Sequence, residues 1–475
     1  MAFQTVPGDA LLFFSPDGNK DSRDIPKFRE YLDQGYDIVI ASRMMRDAPR
    51  TTELRPGVYV FAGVVAVLSW LVIAHLAHYL GSFTEWTYFS EDSREYLALG
   101  CWLLRGGDPP LYALSVRPLG YPLLVAFVDG ISNKGIVVLH LVAWLTTALM
   151  LLNILFSRMR NTWGALMGVL LFVTAVTPII LTFHALTETM TALLLVLCLW
   201  FMNRYDMQGG PSHAVGCLLS LSLLVLVKPF WHLYVLAVPF LWSAFRSRLY
   251  VLAVLTVVPV AFQFIFTYHH FRIVGPVFID KITLNAYLLA KAEALEQGLD
   301  LGTATTGRRI QIEEPFPRGL REGDLRETSV IITRDLLDMA RHNPIALLRS
   351  YWHSLNEPFR DGMNFGYLAK SGHSRALQVL TRAQAWIMTG LGAICSVLAI
   401  TLCLTRTRTL GLREAMCQMR LALFAAVLFA YLVLITGLSF WQGDRLLSVS
   451  YVCSIVLLGG LFRSPYDRAR NTLRC

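Results

Sequence analysis

The chain has 475 residues, of which 55% are hydrophobic and only 16% are charged. A soluble protein of this length does not need so much apolar side chain, so the composition excludes an ordinary soluble fold and predicts an integral membrane protein. The net charge of +9 comes mainly from short basic clusters between apolar segments. This distribution indicates membrane orientation and argues against nucleic-acid binding.

The first 50 residues are polar and mixed, which does not predict a cleavable signal peptide. LLFFSPDGN contains a short apolar strand and a turn, DIPKFREYLDQG has the spacing of a helix, and YDIVIASR reads as a second strand. The segment 1–55 is therefore predicted to be a small cytoplasmic α/β stub. It is too short to bury a core of its own.

The stub resembles the middle of family 2 glycosyltransferases of the polyprenyl-phosphate sugar synthase kind, over SPDGNKDSRDIPKFREYLDQGYDIVIASRMM. The resemblance puts Asp17 at the aspartate that helps to hold a metal and the nucleotide-sugar diphosphate. The nucleotide-binding first half of that fold is missing. We therefore expect a remnant that has no sugar–nucleotide chemistry of its own.

Ten apolar segments follow and predict an all-α polytopic membrane protein of about ten transmembrane helices. Their limits are roughly 57–80, 135–156, 162–182, 186–203, 213–229, 231–245, 249–268, 384–404, 418–438 and 446–462. The interruption by Lys228-Pro229 makes the part from 213 to 245 the least regular. We divide this part of the chain into a membrane domain (56–269), an outer segment (270–383) and C-terminal membrane helices with a basic tail (384–475).

Arginine clusters mark one side of the predicted membrane domain. They precede the first segment and follow the second, fourth, sixth, eighth and last segments. With ten spans, all of these clusters fall on the same side, which the positive-inside rule makes cytoplasmic. The loop 81–134 and the segment 270–383 are then outside.

The two outer segments are predicted to contain helices. Helical spacing runs from Asp92 to Leu104 in the first outer loop, with one apolar side. The segment 270–383 is too long for a bare loop. Helical stretches at Ile282–Gln297 and Glu327–Arg341 predict a small α-helical cap on the outer membrane face.

Polar side chains at the outer ends of the predicted spans form the candidate site, because ionisable groups at membrane depth are costly and are kept mostly for pairing or function. The candidates that are not cationic are Glu91, Asp92, His184, Glu188, Tyr268, His269 and Glu357. The cationic candidates are Arg117, Lys228, Arg272 and Arg445. Such cations could bind a lipid-linked phosphate while a carboxylate activates an acceptor.

The order of the motifs EDSREYLALGCWLLRGG…RPLGYPLLVAF, LTETMTALLLVLCLWF, LVKPFW and GDRLLSVSYVCSIVL resembles that of the multispan GT-C glycosyltransferases. The protein mannosyltransferases and aminoarabinose transferases are the most similar group, over roughly 60–465. The resemblance implies an enzyme that moves a sugar from a polyprenyl phosphate to a protein, lipid or glycan on the outer face. Together with the stub, it implies a bacterial inner membrane and a site facing the periplasm.

The first outer loop of these enzymes holds the catalytic acid residue, which maps to Asp92. These families often have Asp-Glu at this point, whereas this chain has Glu91-Asp92, so either residue could be the base. A positioned carboxylate can take the acceptor proton, and fixed cations can stabilise the leaving phosphate. Direct displacement predicts inversion at the sugar carbon. The scheme requires no cofactor, although a carboxylate–histidine cluster could admit a divalent metal.

The donor phosphate is expected on the cations Arg117, Lys228, Arg272 and Arg445. The remaining candidates, Glu188, His184, Tyr268, His269 and Glu357, are expected to shape the substrate site. The eight cysteines form no CxxC pair, and most lie in apolar segments. We interpret them as core packing, which implies neither a metal site nor a disulfide framework.

Several candidates also have a structural explanation. Asp92 would cap its helix, with Glu95 completing a capping box. Glu188 would be the partner of His184 or Lys228. The remaining alternatives are that Lys228 snorkels to the interface, that Arg445 pairs only with Asp444, that Arg117 only staples the loop, and that His269 and His270 cap the seventh span.

A transporter or lipid flippase is the alternative function. Transporters usually show paired repeats and charges near the bilayer midplane. This chain has no evident repeat, and its candidate charges lie at the outer ends of predicted spans. These features favour the transferase.

Overall fold

The computed structural model describes residues 3–5, 11–13, 56–80, 90–132, 134–159, 161–241, 250–313, 324–363, 365–368, 371–438 and 444–461. In the stub, strand β1 (Phe3–Thr5) pairs antiparallel with strand β2 (Leu11–Phe13). Strand β2 falls within the first predicted strand. The predicted helix and second strand, together with Asp17, lie outside the described residues.

All other described elements are helical. Before the outer segment they are α1 (Pro56–Leu76), α2 (Glu91–Arg105), α3 (Leu111–Val116), α4 (Gly120–Ile131), α5 (Gly135–Met159), α6 (Thr162–Val173), α7 (Val176–Leu181), α8 (Glu188–Gln208), α9 (Pro211–Val227), α10 (Trp231–Leu241) and α11 (Tyr250–Phe271). The outer segment contains α12 (Ile279–Thr283), a π-helical stretch (Leu284–Leu289), α13 (Ala290–Gln297), α14 (Leu301–Glu313), α15 (Asp324–His342), α16 (Pro344–Asp361) and a 3₁₀ turn (Phe365–Leu368). The C-terminal helices are α17 (Ser374–Leu410), α18 (Leu412–Gln418), α19 (Arg420–Thr436), α20 (Arg445–Ser448) and α21 (Tyr451–Leu461).

The protein is a helical membrane protein. Among the described residues, α1, α5, α8, the Val254–Phe271 part of α11, and α17 are each long and apolar enough to cross a membrane. Helices α18 and α19, which meet at 79°, would form a sixth span if they are counted together. The apolar helices α4, α6, α9 and α10 and the stretch Arg445–Leu461 are shorter.

Two predicted spans are interrupted by the local sequence. The segment predicted at 162–182 is divided between α6 and α7, with a break at Thr174. The interruption at Lys228-Pro229 is confirmed, because α9 ends at Val227 and Lys228 is extended at φ −144° and ψ 136°. A residue before proline avoids the α region, since the proline ring would contact its backbone. Lys228 therefore lies just beyond the end of α9.

Helix α2 is close to its predicted position, but its cap differs from the prediction. The helix starts at Glu91, and Ser90 caps it by accepting a hydrogen bond from the backbone N–H of Ser93. The prediction that Asp92 caps the helix is therefore wrong. Asp92 lies inside the first turn, where its carboxylate is free to contact other elements.

Helix α2 packs directly on α4 through Gly100. A Cβ atom at Gly100 would lie 2.0 Å from the carbonyl oxygen of Pro122 and 2.6 Å from the Cβ atom of Ala126. Small residues at helix contacts let two backbones approach this closely. The contact fixes α2 against the apolar helix α4, and with it the position of Asp92.

The segment after α11 contains more helix than predicted. The predicted stretch at Ile282–Gln297 begins at Ile279, and the stretch at Glu327–Arg341 lies within α15, whereas α14 and α16 are additional. Arg308 of α14 contacts Glu293 at 2.5 Å and Asp335 at 2.6 Å, which ties α14 to α13 and α15.

The contact at Gly100 predicts opposite effects for two glycine-to-alanine substitutions within helices. Gly100→Ala should destabilise the protein by about 1–3 kcal/mol, because the new methyl group overlaps the backbone of α4. Gly390→Ala in α17 is the matched control. Apart from its chain neighbours and the adjacent backbone of α17 itself, no atom of the described residues lies within 4 Å of the point that its Cβ atom would occupy, so the higher helix propensity should stabilise by about 0.5–1 kcal/mol. Unfolding in mixed micelles measures both, and equal effects would contradict the close contact.

Candidate functional site

Six charged side chains form one continuous series of ion pairs, which we call the ionic cluster. In order of contact they are Glu95, Arg117, Asp92, Arg445, Glu188 and Lys228. Carboxylates and cations alternate along the series, and their formal charges sum to zero. Glu188, Lys228 and Arg445 are substantially buried, so their pairing offsets the cost of removing them from water.

Five separate elements supply these side chains. Asp92 and Glu95 are three residues apart on α2, so they project from the same face. Arg117 follows the end of α3, and Lys228 follows the end of α9. Glu188 is the first residue of α8, and Arg445 is the first residue of α20. The cluster thus joins α2 and the end of α3 to three ends of apolar helices.

Asp92 is bound by two arginines. The Nη2 atom of Arg117 donates to Oδ1, while Nη1 and Nη2 of Arg445 both lie 3.1 Å from Oδ2. Burial raises the pKa of the Asp92 carboxyl, but the charges and hydrogen bonds of Arg117 and Arg445 outweigh it and lower the pKa to about 2. Asp92 is therefore ionised at neutral pH. Its side chain is 26% exposed, more than any other in the ionic cluster.

Glu188 is the most buried member of the ionic cluster, with a side chain that is only 2% exposed. Its Oε1 atom accepts from Arg445 Nε at 2.7 Å and from Lys228 Nζ at 2.8 Å. This confirms the predicted pairing of Glu188 with Lys228, whereas His184 contacts Tyr79 and Tyr367. The prediction that Arg445 pairs only with Asp444 is wrong, because Arg445 contacts Asp92 and Glu188.

Arg117 is held by groups on α2. Its Nε atom donates to Glu95 at 2.7 Å, and its guanidinium carbon lies 5.1 Å from the centre of the Tyr96 ring. Burial lowers the pKa of Arg117, but Tyr96, Asp92 and Glu95 together raise it. Arg117 therefore stays charged and joins α2 to the end of α3, as the structural explanation of this residue predicts.

The remaining predicted residues lie in other surroundings. His184 is buried, and its Nε2 atom lies 2.7 Å from the Tyr79 hydroxyl group. Tyr268 and His269 are exposed near the end of α11, and the exposed Arg272 lies over the Tyr268 ring at 5.7 Å. Glu357 of α16 is buried and interacts with Lys291. The side chain of Glu91 lies outside the described part of the structure.

Three members of the site were not among the predicted site residues. Glu95 is assigned only a capping role from the sequence, although its spacing from Asp92 predicts a second carboxylate on the same helix face. Tyr96 supplies the ring against Arg117. Tyr367, from the 3₁₀ turn, interacts with Arg445 and accepts a hydrogen bond from Tyr79 at its backbone carbonyl. No sequence spacing links Tyr367 to the cluster, because it comes from a distant segment.

The described residues contain no group of three His, Cys, Asp or Glu side chains arranged to hold a metal ion. In the ionic cluster the carboxylates are engaged by cations instead. Cys198 and Cys217 lie with their sulfur atoms 3.3 Å apart between α8 and α9, in the buried core.

Comparison of the chain with models of protein families, with curated proteins and with solved structures finds no match.

Removal of Glu188 should destabilise the protein strongly. Glu188→Ala leaves Lys228 without its contact to the cluster and leaves Arg445 with Asp92 as its remaining carboxylate in the cluster, and breaking a buried ion pair costs about 3–5 kcal/mol. The control is Arg334→Ala, which removes an exposed pair and should cost at most about 1 kcal/mol. Unfolding in mixed micelles compares the two. Equal losses would mean that the cluster does not hold the helices together.

Proposed function

We propose that the protein is a membrane glycosyltransferase of the GT-C type. It moves a sugar from a polyprenyl-phosphate donor to an acceptor hydroxyl group on the outer face of a bacterial inner membrane. The observation that carries the proposal is the position of Asp92. This most exposed carboxylate of the ionic cluster lies between two arginines, on the outer-loop helix that the family resemblance identifies as catalytic.

Each part of the ionic cluster has a role in this reaction. The acceptor oxygen attacks the sugar carbon as the bond from that carbon to the phosphate oxygen breaks. Asp92 takes the acceptor proton, and polyprenyl phosphate leaves with the bonding electron pair. Arg445, Lys228 and Arg117 stabilise the charge that develops on the phosphate. A single displacement gives inversion.

The pairing of the cations adds a requirement to this mechanism. A carboxylate with a pKa of about 2 is a weak base. A donor phosphate that draws Arg445 or Arg117 away from Asp92 removes the interactions that lower its pKa. Donor binding then makes Asp92 a stronger base when the reaction needs it.

The proposed topology has ten spans, with the cluster on the outer side. Contacts within the cluster support this arrangement, because they bring the start of α8, the end of α9 and the start of α20 together. Helices that run alternately through a membrane place such ends on the same side. In this proposal the shorter apolar helices α6, α9 and α10 and the stretch Arg445–Leu461 also cross the bilayer. The segment 270–383 is the outer cap, and residues 1–55 carry no sugar–nucleotide chemistry.

Substitution of Asp92 tests the transferase directly. Asp92→Asn keeps the size of the side chain but removes its basicity, so transfer of labelled sugar from a polyprenyl phosphate should fall by a factor of about 10²–10⁴. Donor binding should persist in this variant, whereas Lys228→Ala should weaken it. Asp108→Asn, an exposed substitution in the same outer loop, is the matched control and should leave transfer unchanged.

Three outcomes of this experiment separate the alternatives. Loss of transfer in Glu91→Gln with full activity in Asp92→Asn would make Glu91 the base. Full activity in both variants would rule out a catalytic role for this loop. Movement of labelled lipid across the membrane by wild-type protein, without transfer of sugar, would instead identify a flippase.

The low pKa of Asp92 also predicts the pH dependence of transfer. The carboxylate is the active form, and kcat/KM reports the pKa of the free enzyme. A folded-state pKa of about 2 means that protonation of Asp92 removes activity only as the pH falls toward that value. The kcat/KM of the wild type should therefore show no acidic limb from Asp92 between about pH 5 and 8. Arg117→Gln should raise this pKa and move the acidic limb to higher pH; an unchanged limb would contradict the role of Arg117.

A further inference from the structure

Glu188 also lines a small cavity between apolar helices. The cavity has a volume of about 10 Å³ and lies among residues of α5, α6, α7, α8 and α20. The lining residues that matter here are Trp144, Thr147, Phe172, Glu188, Thr189 and Ser448. Most of this wall is apolar, so the few polar atoms in it decide what the cavity can bind.

Three of the lining residues carry a buried polar atom that makes no hydrogen bond with the described residues. These atoms are Trp144 Nε1, Glu188 Oε2 and Thr189 Oγ1. The exposed fractions of the three residues are 2%, 2% and 6%. Buried polar groups are nearly always hydrogen-bonded, because an unpaired one loses its water without compensation. Three such atoms around one cavity indicate a common partner.

The other two hydroxyl groups in the wall have partners. The Thr147 hydroxyl group donates to the backbone carbonyl of Ala143 at 2.8 Å, and that of Ser448 donates to the carbonyl of Arg445 at 2.8 Å. Only Trp144 Nε1, Glu188 Oε2 and Thr189 Oγ1 therefore lack a hydrogen-bond partner among the polar side-chain atoms of the described cavity wall. Their chemistry is complementary, since the indole N–H only donates, the carboxylate oxygen only accepts, and a hydroxyl group does either.

This set of atoms matches one neutral molecule that both donates and accepts. A water molecule can accept from Trp144 and donate to Glu188, and its third hydrogen bond is with Thr189. Three hydrogen bonds are typical of buried water, and the volume is about the smallest that holds one molecule. A cation in the cavity would be repelled by the indole N–H group and by Lys228 and Arg445, which both contact Glu188. An anion would be repelled by the Glu188 carboxylate.

We propose that the cavity is a binding site for a single structural water molecule that bridges Trp144 Nε1, Glu188 Oε2 and Thr189 Oγ1. This proposal is independent of the transferase reaction. The water completes the hydrogen bonding of Glu188, whose Oε1 atom already serves Lys228 and Arg445. It thereby fixes the carboxylate plane, so that Oε1 stays directed at both cations.

Hydroxyl-radical labelling by X-ray radiolysis tests the proposal, because a bound water molecule generates radicals inside the protein next to its site. The experiment uses the intact protein in lipid nanodiscs, with mass spectrometry of each aromatic residue. Phe172 lines the cavity and is 1% exposed, while Phe424 is 0% exposed in the core and is absent from the cavity wall. We expect label on Phe172 and none on Phe424. Equal labelling of the two residues would overturn the proposal.

Two threonine variants then test which hydroxyl group holds the water. Thr189→Val removes the unpaired hydroxyl group with little change of shape, and the label on Phe172 should be lost. Thr147→Val changes the same cavity at a hydroxyl group that already has a partner, so the label should remain. Loss in both variants, or in neither, would contradict a water bound by Thr189. If Thr189→Val fails to fold, the wild-type comparison of Phe172 with Phe424 still decides.

Discussion

The arrangement of the site depends on one guanidinium group. Arg445 uses Nε to contact Glu188 and both terminal nitrogens to contact Asp92. A planar group with several fixed donors can join two carboxylates in this way, whereas the ammonium group of a lysine is a single point of charge. Because Asp92 comes from α2 and Glu188 from the long apolar helix α8, Arg445 determines where α2 lies against the apolar helices. Without Arg445, the ion pairs of the ionic cluster would form two separate groups, one on each side of it.

Stability alone does not explain why so many charges are kept here. A buried ion pair often stabilises no more than apolar side chains of the same size would, because both partners lose their hydration. The cost of charge is higher still near a bilayer. Alternating charges do specify which helix ends meet, since any other arrangement would bring like charges together or leave one unpaired. They also leave one carboxylate, that of Asp92, partly exposed, which a contact between apolar side chains would not do.

The sequence predicts those features that depend on neighbouring residues. Hydropathy gives the long helices, and the spacing of apolar residues gives α2 to within one residue at each end. The pattern Asp92–Glu95 suggested a capping box, but Ser90 precedes it and takes the cap. Helix α16 is absent from the prediction, and its buried face includes the polar residues Ser350, Ser354 and Glu357.

Contacts between distant segments were only partly predictable. Arg117, Glu188, Lys228 and Arg445 could be chosen as candidates because each is an ionisable residue at the end of an apolar segment. Their partners depend on how the helices pack, which one sequence does not reveal. Tyr367 is the clearest example, because it reaches Arg445 from a short turn that has no distinctive pattern. The same reason explains why Tyr268, His269 and Arg272, which satisfy the sequence criterion equally well, lie exposed near the end of α11.

The formal charges of the ionic cluster sum to zero, which limits how the proposed phosphate group can bind there. Its cations are already paired, so a phosphate must take a place that a carboxylate now holds. Glu188 is the poorest carboxylate to displace, because it is almost fully buried and shares one oxygen between two cations. Asp92 is the most exposed, and each of its contacts is with an arginine that has a second carboxylate partner. In the proposed reaction, an incoming phosphate would therefore displace Asp92 at the lowest cost, and the released carboxylate would lie beside the bound phosphate.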